Sequence, residues 1–179
     1  PLQLCLMTAQ IANGGYKIYP KIIVNNKPLN FLEAKKNMEL KSSIDPNFQL
    51  IKDKKNLKIV QKAMFSSTNE IRGTSYRSRI DDPKYQFAGK TGTAQVKRIS
   101  KRERELDLKI EQIPYNDRDH ALYVAYGPYI NPKYALSIIV EHGGSGSKAA
   151  APIAKELFKL IIDRDAVREK QSNFEEIDI

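Results

Sequence analysis

Two β-rich runs separated by a short connection place the strongest constraint on how this chain can fold. The runs, 121–125 and 134–140, are joined through Gly127-Pro128 and Asn131-Pro132, which are turn-forming pairs. A parallel pair of strands needs a crossover of a dozen or more residues, so a connection this short predicts adjacent antiparallel strands. The sheet is therefore expected to be antiparallel, with helices packed on it.

Apolar spacing predicts three helices and two further strands. The three helices are expected at 1–12, 53–66 and 149–162, and Asn13-Gly14-Gly15 ends the first of them. Strands are expected at 18–24 and 85–96. The resulting order is helix, strand, helix, three strands and helix.

Three polar segments interrupt this order. Residues 25–50 hold several Pro and Asn residues and are expected to form loops with short extended pieces. The segment 97–117 has no apolar periodicity and is predicted to be a long, mobile hairpin excursion. Residues 163–179 form a charged tail that is expected to fray.

The composition limits the possible partners and chemistry. The chain has 30 basic and 21 acidic side chains, a net charge of +9, which suits nucleic acid, an anionic surface or plain solubility. Acids are mixed with the bases and no aromatic residue lies within 97–105, which argues against nucleic-acid binding. Cys5 is the only cysteine and lies in an apolar run, so a buried structural thiol is expected. No apolar run reaches the roughly 18 residues of a membrane span.

The row Lys90, Thr91, Gly92 and Thr93 is the candidate binding site. Side chains alternate along a strand, so Lys90 and Gly92 should share one face while Thr91 and Thr93 share the other. Such a row offers charge, hydroxyl donors and uncovered backbone to a peptide carboxylate. A phosphate loop would require glycine five positions before Gly89, and that position is Lys84.

Four landmarks resemble class B penicillin-binding proteins, most closely those of the rod-elongation machinery. The most specific is the string 88–95, Ala-Gly-Lys-Thr-Gly-Thr-Ala-Gln, which contains the Lys-Thr-Gly motif. The others are Ala-Asn-Gly-Gly at 12–15, the His-Ala and Gly-Pro-Tyr pair within 118–129, and the glycine turn at 141–146. The resemblance implies an α+β fold with helices on both faces of a mainly antiparallel sheet, similar to that of serine β-lactamases.

The resemblance implies peptidoglycan D,D-transpeptidation, in which a serine attacks a D-Ala-D-Ala peptide and an amine resolves the acyl-enzyme. In the family the Ser-x-x-Lys motif comes first, then Ser-x-Asn, then Lys-Thr-Gly. The resemblance therefore implies that the nucleophile lies upstream of Pro1 and that this chain is inactive alone. Residues 1–164 would be the C-terminal portion of the transpeptidase domain, and 165–179 a charged tail.

Two further sequence matches to these motifs do not fit that motif order. Ser145 to Lys148 spells Ser-x-x-Lys, but it follows Lys-Thr-Gly and lies in a glycine turn, where Ser145 or Ser147 is better explained as a helix cap. Ser67 to Asn69 spells Ser-x-Asn, and it is expected to end the preceding helix. His120 is expected to orient a loop or strand end through hydrogen bonds.

The resemblance also assigns roles along the row. Lys90 would assist proton transfer and attract the substrate carboxylate, which Thr91 and Thr93 would bind through their hydroxyls. Gly92 would leave the strand edge open for the substrate to pair as an extra strand. The backbone N–H of Thr93 would be one of two oxyanion-hole donors.

The implied ligands are peptidoglycan stem peptides and β-lactam antibiotics, without cofactor, metal or nucleic acid. The implied setting is the periplasmic face of a bacterial inner membrane, reached through an N-terminal anchor outside this chain, beside a membrane glycosyltransferase. Two alternatives are a serine β-lactamase or penicillin-sensing domain, and a basic, non-enzymatic binding module.

Overall fold

The computed structural model describes residues 1–20, 44–98, 106 and 108–175. The helices and strands, in chain order, are α1 (Leu2–Ala12), β1 (Tyr16–Ile18), β2 (Ile44–Gln49), α2 (Lys54–Asn69), β3 (Ala88–Ala94), β4 (His120–Gly127), β5 (Tyr134–Val140) and α3 (Ala151–Glu175). Short turns of 3-10 helix lie at Tyr76–Ser78, Pro83–Tyr85, Ile110–Gln112 and Tyr115–Asp117, and a π-helical turn at Gly146–Ala150 leads into α3.

The main sheet has the strand order β3-β4-β5, and both pairs are antiparallel. Lys90 lies opposite Val124, and Tyr123 lies opposite Ile138. The expectation of three hairpin-joined antiparallel strands is confirmed. The central strand, β4, is covered on both faces because its alternate side chains pack into two different cores.

Helices cover both faces of this sheet, as expected. On one face, Tyr123 and Ala125 pack with Phe87 and with Phe158 of α3, and the two phenyl rings stack 4.8 Å apart. On the other face, Tyr126 packs with Ala88 and with Met64 of α2, next to the end of α1, Ile11 and Ala12. Phe87, Tyr123, Tyr126 and Phe158 are the largest fully buried apolar side chains in these cores.

The first helix ends where the glycines predict. The side-chain oxygen of Asn13 accepts hydrogen bonds from the backbone of Gly15 and Tyr16, and both Gly14 and Gly15 have positive φ. That backbone conformation strongly favours glycine. The Cys5 thiol in the same helix is half-buried and donates to the carbonyl of Ala135 at 3.4 Å, and burial raises its pKa, in keeping with a structural thiol.

A small antiparallel ribbon of β1 and β2 was not predicted. The strand expected at 18–24 is wrong in its bounds, since the strand is Tyr16–Ile18 and residues 21–24 lie outside the described residues. The expected loop segment does contain an extended piece, β2. This strand lacks strict alternation and contains a proline, so its pairing with β1 left no clear sequence signal.

The second helix matches its prediction closely. The Asp53 carboxylate accepts from the backbone N–H groups of Lys55 and Asn56, which satisfies donors that a helix start leaves open. Ser67 to Asn69 form its last residues, as expected for that Ser-x-Asn match.

The third helix is longer than predicted. It runs to Glu175, so the expectation that the chain frays from residue 163 is wrong for 163–175. Helix-forming residues continue past Ile162, and Asp163 is held by hydrogen bonds from Lys84 and Tyr85. Among the described residues, none of the helices combines the length and apolarity that a membrane span requires.

The strand expected at 85–96 is shorter, Ala88–Ala94. Asp82 caps a 3-10 turn at Pro83–Tyr85, and the backbone N–H of Val96 donates to the Asp119 side chain instead of a strand partner. Residues 99–105 and 107 lie outside the described residues, so the predicted mobility of the 97–117 excursion stays a prediction.

Candidate active site

The row of candidate residues lies on β3, which pairs with β4 on one side and has no strand on the other among the described residues. Lys90 is exposed, and its ammonium donates to the Thr91 carbonyl at 2.8 Å. It forms no ion pair with a carboxylate of the described part of the chain. An uncompensated cation on an open sheet edge can bind an anionic group.

The predicted division of side chains between the two faces of β3 follows from its register. Lys90 and Gly92 lie opposite Val124 and Leu122, whereas Thr91 lies opposite Tyr123. Cross-strand partners share a face, so the Lys90 and Thr91 side chains leave opposite faces of β3. Their ends nevertheless meet, with Lys90 Nζ 3.4 Å from Thr91 Oγ1. Thr93 is exposed and Thr91 is half-buried.

Gly89, one residue before the candidate row, makes room for Tyr123. A Cβ atom at Gly89 would lie 2.3 Å from the Tyr123 hydroxyl. The hydroxyl lies 2.9 Å from that of Thr68 and 3.0 Å from that of Ser75. Burial raises the pKa of Tyr123, while the two hydroxyl partners act in the opposite direction. The sequence motif that contains Gly89 gives no sign of this packing role.

Glycine also lets the turn after β5 approach β3. A Cβ atom at Gly146 would lie 2.7 Å from the carbonyl oxygen of Gly92 and 2.4 Å from that of Leu122. The glycine turn therefore packs directly against the backbone of the candidate strand. The sequence places this turn before the last helix, but it does not reveal which strand the turn contacts.

The turn at Gly73 brings a further hydroxyl to β3. The Thr74 hydroxyl lies 3.3 Å from that of Thr91 and 3.1 Å from that of Ser67 at the end of α2. No motif in the sequence connects this turn with β3. Its glycine was the one available signal of close packing, since glycine often marks a close backbone approach.

The two histidines fix the end of β4. Nδ1 of His120 accepts a hydrogen bond from the backbone N–H of His142 at 2.9 Å, and the His142 ring contacts the Arg118 carbonyl at 3.1 Å. His142 has a φ of 56°, which is rare outside glycine. The expectation that His120 orients a strand end through hydrogen bonds is confirmed.

The strand order, the open edge of β3 and the glycine turn packed against it agree with one protein family. Residues 1–159 match the family model of the penicillin binding protein transpeptidase domain. The chain belongs to this transpeptidase family. The expected fold is confirmed with it, and the chain covers part of the transpeptidase domain.

Two curated relatives of this penicillin-binding protein chain are named peptidoglycan D,D-transpeptidase MrdA. The relative from Salmonella typhimurium (strain SL1344) is 30% identical over 170 residues, which are 93% of this chain and 25% of that protein. The relative from Acinetobacter baumannii is 32% identical over 158 residues, 86% of this chain and 21% of that protein. The chain thus spans a quarter of the length of one relative and less of the other.

Two solved structures resemble the chain. Penicillin-binding protein PBP2 of Pseudomonas aeruginosa, in complex with WCK 5153, has a TM-score of 0.60 at 30% identity and covers 89% of this chain and 30% of its own. PBP2 of Helicobacter pylori, in complex with MreC, has a TM-score of 0.59 at 28% identity and covers 88% of this chain and 24% of its own.

The Ser-x-x-Lys match at residues 145–148 of this penicillin-binding protein chain lies at the start of the last helix, where a serine cap was expected. Ser145 occupies the N-cap position of the π-helical turn, as expected, but its side chain makes no capping hydrogen bond. Its hydroxyl instead lies 3.0 Å from that of Ser147.

Proposed function

We propose that this chain supplies the substrate-binding strand of a peptidoglycan D,D-transpeptidase. The observation that supports this most strongly is the open edge of β3, where Lys90 is exposed and has no carboxylate partner among the described residues. The relatives named D,D-transpeptidase support the choice of a transpeptidase over a β-lactamase or a penicillin sensor. No observation favours a basic binding module.

In this proposal the row on β3 binds the terminal carboxylate of a D-Ala-D-Ala stem peptide, or the matching carboxylate of a β-lactam. Lys90 attracts the carboxylate and assists proton transfer at the reacting serine. The hydroxyls of Thr91 and Thr93 complete the binding site, because hydrogen bonds to a charged acceptor are stronger than neutral ones. Lys90 and Thr93 are the proposed catalytic residues of this chain.

The backbone of β3 has its own role in the proposal. Gly92 carries no side chain, so a substrate peptide can pair alongside the strand. The backbone N–H of Thr93 stabilises the oxyanion of the tetrahedral intermediate. Removing one donor of this kind from an enzyme typically costs about 3–4 kcal/mol in the barrier.

The remaining groups come from outside this chain. We place the serine nucleophile, its lysine and the Ser-x-Asn motif in a preceding part of the protein. We also place the protein at the periplasmic face of a bacterial inner membrane, held by an N-terminal anchor and working beside a membrane glycosyltransferase. The complex of the Helicobacter pylori relative with MreC supports a setting within a protein assembly.

The test is penicillin acylation of the complete protein after Lys90→Ala. Loss of a charge-assisted contact of about 1.5–3 kcal/mol predicts acylation about ten- to a hundred-fold slower. Lys62→Ala is the matched control, since Lys62 is an exposed lysine on α2. Acylation at the normal rate after Lys90→Ala would exclude Lys90 from the site. Rapid turnover of penicillin by the unchanged protein would favour a β-lactamase.

A further inference from the structure

A row of hydroxyl groups connects the last turn of α2 to the candidate lysine. Ser67 Oγ lies 3.1 Å from Thr74 Oγ1, which lies 3.3 Å from Thr91 Oγ1. Lys90 Nζ lies 3.4 Å from the same Thr91 oxygen and 2.8 Å from the Thr91 carbonyl. Each hydroxyl can donate one hydrogen bond and accept two, so the row can be continuous.

The turn that carries Thr74 is anchored on both sides. At Gly73 a Cβ atom would lie 2.3 Å from the Ser67 carbonyl oxygen, so only glycine allows this approach. The backbone N–H and the hydroxyl of Ser75 both donate to that same carbonyl at 3.0 Å. Ser75 is buried against the Tyr123 hydroxyl. Thr74 is thus presented to β3 by a turn with little freedom to move.

The charge on Lys90 fixes part of the hydrogen-bond direction. An ammonium group can only donate, so Thr91 Oγ1 accepts from Lys90. The Thr91 hydroxyl keeps one proton and one acceptor site. To donate that proton to a carboxylate, as proposed above, it must accept a hydrogen bond from the Thr74 hydroxyl. Without the Thr74 hydroxyl, Thr91 loses the contact that orients its oxygen toward Lys90.

We propose that Thr74 and Ser67 are positioning residues that hold Thr91, and through it the ammonium of Lys90, in place for the carboxylate. The inference rests on the proposed function, because it assigns these residues a role at the same site. Thr74 acts directly on Thr91, and Ser67 acts only through Thr74. Neither residue contacts the reacting atoms.

The experiment measures acylation of the complete protein by a fluorescent penicillin, with thermal melting of every variant. Thr74→Val keeps the shape of the side chain but removes its hydroxyl, and it should slow acylation about five-fold, the effect of one hydrogen bond. Thr74→Ser restores the hydroxyl and should return the rate to within about two-fold of normal. Equal rates for Thr74→Val and Thr74→Ser would overturn the proposal.

Alanine variants of Ser67 and Ser66 form a matched pair. They test the proposal even if Thr74→Val does not fold. Ser67→Ala should slow acylation, whereas Ser66→Ala should not, because Ser66 bonds Glu70 away from the row. Combining Ser67→Ala with Thr74→Val should slow it no further than Thr74→Val alone. Equal rates for the two serine variants, or additive effects in the double variant, would overturn the proposal.

A penicillin methyl ester separates positioning from general support of the fold. The ester has no negative charge for Lys90, so Thr74→Val should slow its acylation by less than about two-fold. If Thr74→Val slowed acylation by the ester as much as acylation by the penicillin with a free carboxylate, the proposal would be overturned. Lys90→Ala distinguishes a failure of the proposed function from a failure of the positioning role. A normal acylation rate in Lys90→Ala rejects the proposed function. A slow rate in Lys90→Ala together with a normal rate in Thr74→Val rejects only the positioning role.

Discussion

At the scale of single residues, two glycines near Lys90 have different roles. Gly89 matters to the fold, and Gly92 matters to the proposed site. Gly89 and Gly92 are three positions apart, yet their surroundings differ. A Cβ at Gly89 would overlap the Tyr123 ring, whereas at Gly92 it would lie 3.3 Å from the Leu122 Cβ. Packing requires the first glycine, whereas a Cβ at the second would meet one tight neighbour, the Leu122 side chain, which would have to shift by a few tenths of an ångström.

Gly89→Ala should therefore destabilise the protein more than Gly92→Ala. Displacing the buried Tyr123 ring breaks its contacts with Thr68 and Ser75, and overpacking of this kind costs about 1–3 kcal/mol in the free energy of unfolding. Gly92→Ala should cost less than about 1 kcal/mol. Chemical denaturation of the complete protein measures both. Equal stability of the two variants would show that Tyr123 does not occupy the space beside Gly89.

At the scale of elements, an ionic clamp joins α3 to the turn that precedes β3. Lys84 Nζ and the Tyr85 hydroxyl both donate to the same oxygen of Asp163, the lysine at 3.1 Å. These bonds lower the pKa of Asp163. The pKa of Lys84 is raised by its hydrogen bond to the Tyr85 hydroxyl and, after that, by its bond to Asp163. The clamp lies one turn beyond Phe158 and so fixes the continuation of α3 against the sheet.

The clamp should contribute to stability only while Asp163 is ionised. Because its pKa is lowered in the folded state, this contribution is complete above the usual aspartate range and is lost as the pH falls below roughly 4. Asp163→Asn should lower the melting temperature of the complete protein at neutral pH. It should also make the melting temperature fall less steeply as the pH is lowered. Asp165→Asn is the control on the same helix. The clamp would be contradicted if the melting temperature of Asp163→Asn fell as steeply with decreasing pH as that of the unchanged protein.

At the scale of the whole molecule, local sequence patterns predicted the elements better than their contacts. The spacing of Leu57 and Met64 located α2, and the turn pairs at 127–132 located the β4–β5 hairpin. The β1–β2 ribbon depends on pairing between distant segments, and the bond between Asp163 and Lys84 is likewise a contact that no local pattern contains. The same reason hid the contact between Thr74 and Thr91.

A crystal structure of the complete protein acylated by a penicillin tests the central claim most directly. The account predicts that the carboxylate of the bound penicillin lies along β3, with an oxygen roughly 2.5–3.0 Å from the Thr93 hydroxyl and Lys90 beside it. It also predicts that the acyl oxygen faces the Thr93 backbone N–H. A carboxylate bound away from β3, with Lys90 and Thr93 both facing solvent, would contradict the account.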